Sequence, residues 1–120
     1  MKIKQVLTRF YTQDMEGAIQ FYETILNEKC SQKFHYEKMK LDLAQVGNLL
    51  ILGGAEEALK PFRATQATFL VDSVREFKEH LLKNGSEIIR DIMEVPTGMN
   101  MTLRHPDGSI VEYVEHKTQG

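Results

Sequence analysis

Apolar and polar positions alternate along residues 3–11. Val6, Thr8 and Phe10 share one face and Gln5, Leu7, Arg9 and Tyr11 the other, so the chain opens on a strand. The period then changes from two to that of a helix. Asp14 stands at an N-cap position, and Met15, Ala18, Ile19, Tyr22, Ile25 and Leu26 form one apolar stripe to about Asn27. Residues 29–36 and 39–46 read as strands on either side of Glu37-Lys38. Gly47-Asn48 marks a tight turn, and Leu49 to Leu52 a short buried strand ended by Gly53-Gly54. A connector with room for one helical turn follows over 55–63, stopped by Pro61.

The same order then recurs. Residues 65–71 form a strand, Asp72 or Ser73 caps a helix with the stripe Val74, Phe77, Leu81 and Leu82, and Asn84-Gly85 closes it. Strands at 86–93 and 98–104 flank Pro96-Thr97-Gly98. The turn Pro106-Asp107-Gly108 leads to a last strand at 109–115. Gly47-Asn48-Leu49-Leu50-Ile51 sits beside Gly108-Ser109-Ile110-Val111-Glu112 in the same frame, and each half has a strand running into a capped helix. The fold class is therefore α+β, as tandem βαβββ modules forming curved mixed sheets around a cleft. Residues 1–120 are expected to make one domain, with modules at about 1–54 and 64–116. An unrelated α+β sandwich with the same element order is the alternative.

Composition narrows the setting. The chain has 120 residues, 42% of them hydrophobic and 27% charged, ordinary values for a globular domain with one core. The formal charge is -2 and no Lys/Arg run is long enough to track phosphates, so nucleic acid is not an expected partner. Cys30 has no second cysteine to pair with, which fits a reducing cytoplasm, and the opening residues carry no apolar stretch of a signal peptide. The longest apolar run, Leu49 to Leu52, is far too short to span a membrane.

Two stretches carry a family resemblance. Asp14-Met15-Glu16-Gly17-Ala18-Ile19-Gln20-Phe21-Tyr22-Glu23, followed by Leu26, resembles the first-helix signature of the vicinal-oxygen-chelate (glyoxalase/bleomycin-resistance/dioxygenase) superfamily. Thr102-Leu103-Arg104-His105-Pro106-Asp107-Gly108-Ser109 resembles its closing turn Asp-Pro-Asp-Gly-Asn, with His105 for the first Asp and Ser109 for the Asn. The resemblance covers the whole chain. It implies the fold but not the activity, since the superfamily includes metal-dependent isomerases, ring-cleaving dioxygenases, epimerases, thiol transferases and metal-free drug-binding proteins.

In metal-using members, His, Glu or Gln ligands come from the first and last strands of each module. Counting back from the helix-cap positions lands on Leu7 and Gln66. Counting four residues on from the turn glycines lands on Ile51 and Glu112. Leu and Ile cannot ligate, and two oxygen ligands hold a divalent ion only loosely. The weak metal candidates are thus Gln66, Glu112 and His35, and no resident cofactor is expected. Cys30 reads as an inert half-buried thiol, and His105 as a local hydrogen-bonding residue of the turn.

Two functional readings follow, and the sequence does not decide whether the chain is an enzyme. The first is a metal-free protein that binds a small molecule through Leu7, Ile51, Gln66, Glu112 and Arg104. In it Gln66 and Glu112 face the polar end of the ligand, and Glu112 becomes a candidate general base if it is buried without a partner. The second is a lyase, isomerase or dioxygenase with a weak or substrate-completed metal site. A protein-interaction module is the third possibility. A homodimer is expected, because each module presents sheet edges that need cover.

Overall fold

The structure is a computed structural model and describes residues 1–117. Its elements follow the βαβββ order twice. The first set is β1 (Ile3–Thr12), α1 (Met15–Leu26), β2 (Cys30–Tyr36), β3 (Leu41–Val46) and β4 (Leu49–Gly53). A short helix α2 (Glu56–Leu59) and one 3-10 turn (Lys60–Phe62) connect them to β5 (Ala67–Val71), α3 (Val74–Lys83), β6 (Glu87–Val95), β7 (Gly98–Arg104) and β8 (Ile110–His116). No helix of the described residues is long and apolar enough to cross a membrane.

The chain divides into two compact units, Thr8–Ala64 and Met1–Leu7 with the residues from Thr65 onward. The sequence places the opening residues with the first half. Their bonds lie with the second: Lys2 N–H donates to the Asp72 carboxylate at 2.8 Å, and Asp72 N–H donates back to Lys2 O at 3.1 Å.

In the first unit the strands lie in the order β2-β3-β4-β1, with β4 parallel to β1 and the hairpins antiparallel. Asp14 caps α1 by accepting from Gly17 N–H at 3.1 Å, and Asn27 ends the helix in the left-handed conformation. Ile19 with Met15, Ala18 and Tyr22 packs on Ala44, Val46 and Ile51. The fully buried Val46 and Ile51 each contribute about 1.5–3 kcal/mol of burial. The expected stripe runs one turn too far. Ile25 is 59% exposed and Leu26 41% exposed, because only the first two turns of α1 meet the sheet. The strand expected from residue 39 starts at Leu41, since the turn takes Glu37 to Lys40 and Lys40 adopts φ 53°. On the other face Leu41, Leu43, Leu50 and Leu52 pack with Tyr11 and with Leu59, Ala58 and Phe62 of the connector.

In the second unit β5 pairs parallel with β8, and β8-β7-β6 form an antiparallel meander. Ser73, not Asp72, caps α3, accepting from Glu76 N–H at 3.2 Å. Val74 and Phe77 of α3 pack on Val71, Met101, Leu103, Val111 and Tyr113. Because side chains alternate along a strand, Thr68, Glu112 and Thr102 point to the face away from α3.

Candidate functional site

A polar row crosses that face of the second unit. Strand register sets Thr68 opposite Glu112, Glu112 opposite Thr102, and Thr102 opposite Arg90, so one residue from each of four strands lines up. Thr68 is 2% exposed and its hydroxyl donates to Glu112 Oε1 at 3.1 Å. Arg90 Nη2 donates to Thr102 Oγ1 at 3.3 Å and stands 3.9 Å from Glu112 Oε2. The Glu112 and Arg90 side chains are 22% and 38% exposed, and burial holds the Arg90 guanidinium below the usual arginine range, with the Glu112 charge opposing that shift. Asn100 lies two residues before Thr102 on the same face, and its Oδ1 is buried without a hydrogen-bond partner among the described residues. Ile110, Val114 and Leu70, all half-buried, complete the face around the row.

The residues expected from the sequence fall in different places. Glu112 is at the centre of the row. Because Arg90 and Thr68 answer it, the condition set for a general base, burial without a partner, is not met. Gln66 is exposed at the start of the same face, where its Oε1 accepts from Ile110 N–H at 3.3 Å while its own N–H donates to Ile110 O at 2.9 Å. Its side chain thereby secures the strand end. Arg104 is exposed and pairs with Glu87 at 3.5 Å, its cross-strand neighbour, rather than with Glu112. Leu7 is buried and supplies no donor atom.

Ile51 is a correction. It is 0% exposed in the core under α1, packed with Ile19, Ala44 and Val46, so it cannot line a ligand site. The counting failed on parity. The β3–β4 ladder ends at Val46↔Leu49, a helix-side pair, whereas the β7–β8 ladder runs one pair further to Arg104↔Ile110 on the face away from α3. One residue of shift turns a side chain to the other face.

The remaining candidates are local. His35 is exposed on β2, with Nδ1 2.7 Å from Asp42 and Nε2 2.7 Å from Glu37, and these two carboxylates raise its pKa above the usual histidine value, the Asp42 bond first. His105 bonds the Tyr113 hydroxyl at 2.7 Å, and burial pushes the Tyr113 phenol up to about 12. The Cys30 thiol lies 3.2 Å from Gln32 O. A concavity of about 320 Å³ lined by Glu94, Val95, Gly98, Met99, Glu115 and Lys117 includes the helix-side positions Met99 and Glu115, and contains none of the row.

The fold family implies a divalent metal in many members, and the residues here do not fit one. Of the four carried-over positions, Leu7 and Ile51 have no ligating atom, nor has Leu50, which stands beside Ile51 on the face away from the helix, and the Gln66 oxygen already accepts a backbone N–H. Among the described residues no group of three His, Cys, Asp or Glu is placed to hold an ion.

Sequence reasoning missed Arg90, Thr102 and Asn100. The hairpin turn at Pro96-Thr97 gives a signal that could have found Arg90 near Thr102, but register shifts on both sides of Arg90 break the alternation that would have assigned its face.

Comparison with known proteins agrees with this architecture. The model of the Glyoxalase/Bleomycin resistance protein/Dioxygenase superfamily matches residues 2–113. An uncharacterized protein from Methanosarcina mazei is 52% identical, with a TM-score of 0.93 over 100% of this chain and 98% of that one. A hypothetical protein from Bacillus halodurans is 18% identical, TM-score 0.75, over 99% and 96%. Methylmalonyl-CoA epimerase from Mycobacterium tuberculosis is 13% identical, TM-score 0.75, over 97% and 90%, a likeness of fold alone. No curated protein matches the chain.

Proposed function

The chain belongs to the Glyoxalase/Bleomycin resistance protein/Dioxygenase superfamily, and from that premise we propose that it is a cytoplasmic protein binding a small molecule without a tightly held metal. The observation that carries this reading is the row Thr68–Glu112–Thr102–Arg90. A charged pair and two hydroxyls set among Ile110, Val114 and Leu70 match the usual make-up of a ligand site, a few convergent polar groups on an apolar wall. A row built only for stability would do better as apolar side chains, since half-buried ion pairs contribute little net stability.

In this reading Glu112 and Arg90 hold the polar end of the ligand, and Leu70, Ile110 and Val114 take its apolar body. Gln66 contributes from the rim at most through its amide nitrogen, its oxygen being engaged. The test is native mass spectrometry of the purified protein beside Glu112→Gln, which keeps the shape and removes the charge. The wild type should retain a small molecule that the variant releases. Equal retention by both would make Glu112 structural.

Metal content is a separate check. Dialysed protein should hold no stoichiometric zinc, nickel, manganese or iron, and finding one at a 1:1 ratio would refute the metal-free part of the reading. The reading also takes the protein as a homodimer, since β2 ends the strand order of the first unit and β6 that of the second, each with an edge to cover. Light scattering at micromolar concentration should give twice the chain mass, and a monomer would contradict it.

A further inference from the structure

We infer that two copies of this chain meet on one flank of α1 and the part of β1 beside it, through Phe10, Phe21, Tyr22, Ile25 and Leu26. The inference rests on the homodimer reading and places its contact on a helix flank instead of a sheet edge.

The helix α1 covers only part of the first unit's sheet. Ile19, with Met15 and Ala18, packs on Ala44 and Val46 of β3 and on Ile51 of β4. Glu16 and Glu23 turn toward β2, where Glu16 pairs with Lys33 and Glu23 accepts Cys30 N–H at 2.7 Å. Helical residues step by about 100°, so Phe21 and Ile25 fall on the opposite flank. There the Tyr22 ring centroid lies 5.2 Å from that of Phe21 and 5.3 Å from that of Phe10 on β1. Phe10 is on the α1 side of the sheet, in register with Ile51, yet the helix leaves it 37% exposed. Phe21 is 59% exposed, as is Ile25, and exposed Leu26 follows at the end of the helix.

The twin helix shows that the fold does not require this. The exposed positions of α3 include Arg75, Glu76, Glu79 and Lys83, with Leu82 the one large apolar side chain among them. The exposed positions of α1 hold a single charge, Glu16, which Lys33 answers. A solvated helix carries its charges outward, and an uncharged, aromatic outer flank marks a contact surface. Phe10, Phe21, Ile25 and Leu26 leave on the order of 350 Å² of apolar surface exposed, close to half of the roughly 800 Å² that each partner buries in a stable interface. That is the share an apolar interface core takes, and exposed Thr8, Gln20 and Thr24 supply a polar rim. The absence of charge also selects the occupant. Two copies related by a two-fold axis present the same patch to each other, and here no like charges are set face to face. An acidic or basic partner would find no countercharge on this flank.

The experiment follows the mass of the full chain by light scattering through a dilution series, for the wild type, Phe21→Glu, Ile25→Glu and the control Leu82→Glu on α3. Phe21 and Ile25 are exposed, and glutamate is a better helix former than either, so circular dichroism and the unfolding midpoint should be preserved. Each of these two variants should raise the dimer dissociation constant at least about thirtyfold, by placing an unpaired charge in a dry contact. Leu82→Glu should stay within about twofold of the wild type. Isotope-filtered NOEs between labelled and unlabelled copies should join side chains of Phe10, Phe21, Tyr22 and Ile25 across the interface. Should a glutamate variant lose its fold, the NOE map of the wild type decides alone. A wild type that is monomeric throughout, by itself or with another protein bound on this flank, overturns the inference together with the homodimer reading. A dimer that survives both glutamates, or whose intermolecular NOEs come from β2 or β6, keeps the homodimer and overturns this placement of its contact.

Discussion

The two units have the same order of elements and treat the sheet face away from their long helix in opposite ways. In the first unit that face is apolar, Leu41, Leu43, Leu50 and Leu52, and it is covered by the connector through Leu59 and Phe62. In the second it carries Thr68, Glu112, Thr102 and Arg90, and none of the four belongs to the apolar cluster described for that unit. A common scaffold thus yields one face sealed for stability and one left polar. The difference lies in side chains and in the connector over residues 54–66, not in topology, which is why fold alone says little about activity.

The comparison breaks first at the cover. Leu59 is 0% exposed, and Leu59→Ala should cost about 3 kcal/mol by leaving a cavity under the connector. Urea unfolding checks this; a loss below about 1 kcal/mol would mean that the connector is not part of the first unit's core. Smaller is the effect at the helix cap of the second unit. Ser73→Ala should destabilise by about 1 kcal/mol through the lost bond to Glu76 N–H, measured the same way. An unchanged midpoint would return the capping role to Asp72.

Two titrations sharpen the contrast between buried and exposed sites. Tyr113 is packed on the α3 side of the sheet with its hydroxyl on His105, and burial raises its pKa from the usual 10.0 to about 12. The unfolded chain therefore ionises this phenol first. Its contribution is whole below pH 10 and is lost as pH rises toward 12, so stability should fall across that window. Tyrosinate absorbance should show a phenol that titrates late, and Tyr113→Phe should remove that step. His35 is the exposed counterpart. Asp42, then Glu37, raise its pKa above 6.5, so the bonds it makes on the β2–β3 hairpin are complete below 6.5 and fade as pH rises through the raised value. NMR should find its imidazole titrating above 6.5, and Asp42→Asn should bring it back toward that value. The effect on global stability should be too small to measure, as both partners are solvated.

The strands, the two long helices and the repeat were legible because hydrophobic period and turn residues act locally. The alternation of Val111, Glu112 and Tyr113 also assigned Glu112 to the face away from the helix, where it lies. What failed depended on pairing. Ile51 went to the wrong face because one hairpin ladder is a pair longer than the other, a fact no single strand records. Ile25 and Leu26 look like core in a helical stripe, yet the sheet ends beneath the second turn of α1. Arg90 could not be assigned to the row because irregular register on both sides of it removes the period of two. Site residues drawn from four strands meet only in the ladder, so the polar row was the least legible part of the molecule.

The measurement that bears most directly on the difference between the two faces is a backbone NMR map of the retained ligand, taken as the shift difference between loaded and stripped protein. The shifts should concentrate at Thr68, Arg90, Thr102 and Glu112 and leave Leu41, Leu43 and Leu59 in place. Shifts centred on the covered leucines, with the polar row unmoved, would contradict the account.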